Sequence, residues 1–168
     1  EKVKLIKESE RSSVFTVRRR TDGKRFLMRR IEGEAEIYKK LPYEAHEIRI
    51  KVFIEEQGFE NEFDSIDAEA VHFLMSDDNG IPVATCRVFW DNKMNSHVLG
   101  RLAVLKEYRG RGTGSDVVRE ALEYVKNSGG QSLMLHSQCH AVSFYEKLGF
   151  SSFGDVEYEE DCPHIWMK

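Results

Sequence analysis

Cysteine is scarce in this chain of 168 residues: Cys86, Cys139 and Cys162 are the whole supply. The number is odd and no two form a C-x-x-C pair, which argues against a disulfide framework and against a structural zinc site. No metal is expected, and a reducing cytoplasm is the expected setting. Long apolar runs are missing as well. None approaches the roughly 18–20 residues that span a bilayer, and no signal-peptide pattern opens the sequence as given, so no membrane association is expected. Internal repeats and low-complexity linkers are also absent.

What remains is the balance of a globular protein, with 40% hydrophobic and 32% charged residues. The length fits one domain of roughly 100–200 residues, able to bury a core without covalent staples. Charge is unevenly placed: residues 1–40 carry a balance of +6, and residues 41–168 one of −10. No aromatic-rich nucleic-acid motif accompanies the basic segment, so it reads as strands with a wet, charged face rather than as a nucleic-acid arm.

Along the chain, Val3–Ile6, Ser13–Arg18 and Arg25–Ile31 have the β-branched or apolar content of short strands, with a turn at Thr21–Lys24 built on Asp22-Gly23. Glu34–Leu41 fits a strand by its period of two. Pro42 suits a helix start, and Ala45, Ile48, Val52 and Phe53 form a helical stripe over Tyr43–Glu56 that Gly58 ends. An acidic, irregular stretch fills 59–69. Strands are expected at Val71–Ser76, Ile81–Trp90 and His97–Leu105, then a helix over Ser115–Asn127 with Val117, Val118, Ala121, Leu122 and Val125 on one face. A strand at Ser132–His136, a short helix at Ala141–Leu148 and two last strands at 151–159 and 164–168 complete an α+β sandwich around one central sheet. Residues 1–32 are expected to form a β extension and 33–168 the main domain. A homodimer built through that basic ribbon is one further expectation.

The most specific local signal is Arg109-Gly110-Arg111-Gly112-Thr113-Gly114, between a strand and a helix. A glycine-rich turn at a helix start leaves several backbone N–H groups facing one pocket, where the helix dipole adds positive potential; both favour a pyrophosphate. Rival phosphate loops fail on spacing. No Lys follows as a P-loop requires, and Ser115 occupies the place of the third glycine of a dinucleotide fingerprint. A plain helix-capping turn remains the alternative.

The R-x-x-G-x-G stretch, with the strand Leu99–Val104 before it and Gln138–Phe150 after it (A-x-x-F-Y-x-x-x-G-F), resembles the GNAT superfamily of N-acetyltransferases. Arg49–Gln57, Asp64–Asp67 and Tyr158–His164 narrow the resemblance to its ElaA-like branch, although Asp161-Cys162-Pro163-His164 is one residue shorter than that branch's usual ending. The resemblance covers about residues 35–168. It implies the GNAT acyl-CoA N-acyltransferase fold, a mixed central sheet flanked by helices, and acetyl-CoA as co-substrate. It further implies contacts to acetyl-CoA from Leu102, Ala103 and Val104 on a splayed strand, from Arg109, Gly110, Arg111, Gly112, Thr113, Gly114 and Ser115, and from His140, Phe144 and Tyr145. The implied activity is acetyl transfer to a primary amine of a small molecule or peptide, with Tyr145 as the acid that protonates the leaving thiolate. An acyl-CoA-sensing module without catalysis is the alternative, to be told apart by turnover with a panel of amines.

The general base is not legible. Glu56, Asp161, His164 and water are all open, because residues 98–105 offer only Arg101 as a charged side chain. Arg101 could hold an anionic group of the acceptor or form a cross-strand salt bridge. Cys139 has no neighbouring base and reads as a small buried residue. The N-terminal stretch faintly resembles strands of a kinase small lobe, but the glycine loop and catalytic loop of a kinase are missing.

Overall fold

The computed structural model describes residues 35–168 and, as backbone only, 14–18 and 25–29. Strands β1 (Val14–Arg18) and β2 (Arg25–Arg29) pair antiparallel, Val14 opposite Arg29, as a separate two-stranded sheet. The strand expected at Val3–Ile6 and the turn at Thr21–Lys24 lie outside the described residues.

The central sheet is built from β3 (Glu36–Tyr38), β4 (Val71–Ser76), β5 (Pro82–Asp91), β6 (Ser96–Val104), β7 (Leu133–Gln138), β8 (Ser152–Glu159) and β9 (Cys162–Met167). Its order is β3-β4-β5-β6-β7-β9-β8. Every pair is antiparallel except β6 with β7. Helix α1 (Tyr43–Arg49) runs on as a π-helical segment, Ile50–Glu56, that ends where Gly58 takes a φ of +78°. Helices α2 (Thr113–Asn127) and α3 (Val142–Glu146) follow β6 and β7.

Alternation along a strand divides the core into two layers. Phe73 and Met75 of β4 pack in the cluster that holds Val117, Val118, Ala121 and Val125 of α2. Leu74, between them, packs with Ala45, Ile48 and Val52 of the helix on the other side. The helical stripes read from the sequence are the faces that the sheet buries, so the expected mixed sheet flanked by helices is what the chain forms.

Two irregularities in β6 open the sheet. Only His97, Val98 and Leu99 pair with β7, opposite Leu133, Met134 and Leu135. Beyond them β6 continues to Val104 and β7 to Gln138 without pairing to each other, β7 being bonded along its other edge to β9, so the two parallel strands part. On its other side, β6 slips register against β5 between Thr85–Ala103 and Arg87–Gly100. Arg101 lies in this bulge with a φ of +54°, a conformation that non-glycine residues hold only where neighbours fix them.

Candidate active site

A cavity of about 830 Å³ runs from the glycine-rich loop, through the gap between β6 and β7, to the face of β9. Three parts of the chain meet on it.

The first part is the loop. Gly112 caps α2 with a φ of +92°, and Gly110 has +71°. Both are left-handed positions that glycine adopts without steric cost. The first helical bond runs from Asp116 N–H to Gly112 C=O, so the N–H groups of residues 113–115 have no partner within the helix. A side chain at Gly110 would meet nothing within 4 Å, whereas a Cβ at Gly114 would stand 3.4 Å from Phe144 and 3.5 Å from Val104. Gly114 therefore lets helix α2 sit against α3 and β6, and the loop keeps an open concave backbone. The acid in the first turn, Asp116, is bonded at 2.9 Å by Arg119. Arg109, Gly110, Gly112, Gly114, Ser115, Val104, Leu102, His140, Phe144 and Tyr145 all line the cavity, as does Lys147.

Three expected contact residues point their side chains elsewhere. Arg111 lies over the Tyr108 ring at 5.5 Å, Thr113 Oγ1 donates to the Tyr108 carbonyl, and Ala103 packs on the α1 side. Their backbones stay on the loop and on β6. Arg109 lines the cavity, but its guanidinium is tied down: Nη1 and Nη2 reach the Glu56 carboxylate at 2.5 and 2.7 Å, and Nε donates to the Val104 carbonyl.

The second part is Tyr145. It is 8% exposed, with its ring edge-on to Phe144 and Phe150. Burial, with a small contribution from Cys86, pushes its phenol well above the usual tyrosine range, so it keeps its proton at neutral pH.

The third part is the end of the cavity beyond the gap, which carries Phe59, Asn61, Glu62, Asp64, Arg101, Glu159, Glu160 and His164. His164 is 5% exposed, and its Nδ1 is 2.9 Å from the Cys162 carbonyl. A carbonyl only accepts, so Nδ1 carries the hydrogen and Nε2 is the basic nitrogen. The other two candidate bases are not on the cavity. Glu56 is paired with Arg109, whose hydrogen bond is the main reason its carboxyl sits below the usual range. Asp161 is exposed in the hairpin turn between β8 and β9, with a φ of +63°. Glu160 beside it accepts from the backbone N–H of Glu60 and Asn61 and from Asn61 Nδ2, which staples that hairpin to the 57–64 loop.

Beneath this end lies an ion cluster that sequence reasoning missed. Arg49, 1% exposed, donates to Glu62 Oε1 at 2.6 Å and to Asp67 at 2.7 and 3.0 Å. Arg87 donates to Asp64 and Asp67. Arg101 reaches Glu62 at 3.0 Å and Asp64 at 3.3 Å, so its salt bridges run to the acidic loop and not across strands as expected. Burial works against the Asp67 charge, but the bonds from Arg49 and Arg87 outweigh it and lower the carboxyl to about 2. Burial raises Glu62 in spite of Arg101 and Arg49. The available signal was an arginine on the buried stripe of a helix and another inside an apolar strand, facing an acidic loop.

The sequence and the fold have counterparts among known proteins. A family model for the acetyltransferase (GNAT) domain matches residues 35–168. An acetyltransferase of Bacillus subtilis is 36% identical over 130 residues, 73% of this chain and 85% of its own. Among solved structures, an N-acetyltransferase from Lactobacillus plantarum superposes with a TM-score of 0.71 and 25% identity, covering 80% of this chain and 97% of that one. Escherichia coli ElaA superposes with a TM-score of 0.67 and 29% identity, over 74% and 86%. With a matching domain over most of its length and a relative of that identity, the chain belongs to the GNAT family of acetyltransferases, acyltransferases whose acetyl donor is acetyl-CoA.

Proposed function

We propose that the protein transfers the acetyl group of acetyl-CoA to a primary amine of a small molecule or peptide, by direct attack in a ternary complex. One observation carries the reading: a single cavity joins a glycine-lined helix N-terminus to a buried, protonated tyrosine and then to a histidine with its basic nitrogen unbonded.

The residues fit acetyl-CoA. The open backbone of Gly110 to Ser115 suits a pyrophosphate. The parted edges of β6 and β7 leave backbone groups for an extended pantetheine arm, as an added strand would use them. An N–H group in the stretch Leu102–Val104 would bond the thioester oxygen. Acetyl-CoA supplies the activated acyl group; the protein supplies positions and protons. Tyr145 gives its proton to the departing sulfur. His164 Nε2 takes the proton that the amine sheds as its nitrogen bonds the acyl carbon, and bulk water then resets both groups. Glu56 serves by fixing Arg109 and the loop. The chain's three free cysteines accord with residence in the cytoplasm. Among the described residues, no helix is long and apolar enough to cross a membrane. The acetyltransferase domain begins near residue 33, with the paired strands β1 and β2 before it.

Thiol release from acetyl-CoA, screened over amino acids, polyamines, aminosugars and peptides, tests this function. Amine-dependent release of CoA with an N-acetylated product supports it. CoA binding without any amine-dependent release favours a sensing module.

A further inference from the structure

Register places alternate residues of three neighbouring strands on one face: His136 and Gln138 on β7, His164 and Trp166 on β9, Glu157 and Glu159 on β8. All of them except Glu157 line the cavity. Glu159 joins the two histidines. One of its oxygens is 2.8 Å from His136 Nδ1, and the other is 4.0 Å from His164 Nε2. The imidazole rings of His136 and His164 are 5.1 Å apart, and His136 lies on the Trp166 indole at 4.7 Å and 17°. A carboxylate at the outer strand of the sheet is thus held in place by a stacked ring.

We propose that Glu159 is a positioning residue for the acid–base step, with His136 fixing its carboxylate and the carboxylate stabilising the cation that His164 becomes. The inference rests on the reading of His164 as base. When His164 Nε2 takes the amine's proton, a positive charge appears on a nearly buried ring, which is costly unless a partner is already in place. Glu159 is that partner. Its Oε1 is anchored by the Nδ1–H of His136, leaving Oε2 directed at His164. The proton goes from the amine to Nε2 and leaves to water; nothing else changes its bonding. The ring's orientation is held from its other side, where Nδ1–H donates to the Cys162 carbonyl, as a third group orients the base in other acid–base constellations. The charged or titratable groups recorded against the trio are Glu157, whose Oε2 is 3.5 Å from His136 Nε2, and Cys162, which lies beside Glu159 and Cys139.

The test uses the full chain, acetyl-CoA and the fastest amine of the screen above. Glu159→Gln keeps the shape and removes the charge. Glu159 is half-exposed, so the variant folds, and an unchanged melting temperature verifies it. The expected result is a kcat loss of about tenfold, below the full contribution of an acid–base group, with both KM values within about twofold. Glu159→Asp recovers part of the loss, and His136→Phe, which frees the carboxylate, gives a smaller loss in the same direction. Wild-type kcat in Glu159→Gln overturns the inference, as does a change in acceptor KM alone. His164→Gln separates the two levels. Full activity there overturns the base reading itself. A loss of about 10²-fold there, beside a normal Glu159→Gln, overturns only the role given to Glu159.

Discussion

At the donor end of the cavity the wall is largely backbone; at the acceptor end it is largely side chains. The donor end uses seven consecutive residues, Arg109 to Ser115, whose conformation is set by glycine and by the start of α2. The acceptor end gathers Phe59, Asn61, Arg101, Glu159 and His164 from segments up to a hundred residues apart, and holds them on a buried cluster of three arginines and three acids. A backbone site tolerates change at most side chains but not at its glycines. A side-chain site depends on every member of the scaffold beneath it, so substitutions far from the reacting atoms should reach it.

The largest effect is expected under the acceptor end. Arg49→Met leaves buried Glu62 with Arg101 alone and Asp67 with Arg87 alone, and should cost up to about 3–5 kcal/mol of stability, measured by denaturant titration. A loss below about 1 kcal/mol would show that the cluster is ornamental. Next comes the donor end. Gly112→Asp places a negative charge and a strained φ at the loop, and should weaken CoA binding by about 3 kcal/mol in calorimetry, roughly 150-fold, with the fold intact. An unchanged affinity would move the pyrophosphate elsewhere. Between the two ends, Tyr145→Phe should lower kcat by about 10²-fold or less and leave CoA affinity alone. An unaffected rate across pH would hand the protonation of sulfur to solvent.

Two smaller effects sharpen the contrast. Asp67 is held near 2, below its unfolded value of about 4, so its share of stability is present above about pH 4 and is lost as pH falls toward 2. The share is at most about 2 kcal/mol. Glu62, raised by burial, runs the other way and offsets part of it. Asp67→Asn should flatten the acid limb of a stability–pH curve, and a curve identical to wild type would refute the pairing. Smallest of all, removing residues 1–32 should leave CoA binding intact while lowering the melting temperature by a few degrees or changing the oligomeric state. If neither changes, the basic extension is a passive appendage.

The same contrast explains what was legible in the sequence. The helices were readable because Val117, Val118, Ala121 and Val125, or Ala45, Ile48 and Val52, repeat at the period that the sheet buries. The glycine loop was readable because its conformation depends on the closely spaced Gly110, Gly112 and Gly114. The base was not, because its selection depends on long-range placement: only the structure puts His164 on the cavity, ties Glu56 to Arg109 and leaves Asp161 on a turn. The arginine cluster was hidden for the same reason. Residues 59–69 look like a solvated acidic loop until Arg49, Arg87 and Arg101 are brought beneath them.

The measurement that bears most directly on the whole reading is a paired assay of the full chain with acetyl-CoA and the amine panel, following CoA release and the acetylated product together in wild type and in His164→Gln. Equal amounts of CoA and N-acetyl product, formed only when an amine is present and depressed by about 10²-fold in His164→Gln, is the expected result. Tight CoA binding with no amine in the panel drawing out either product would contradict it.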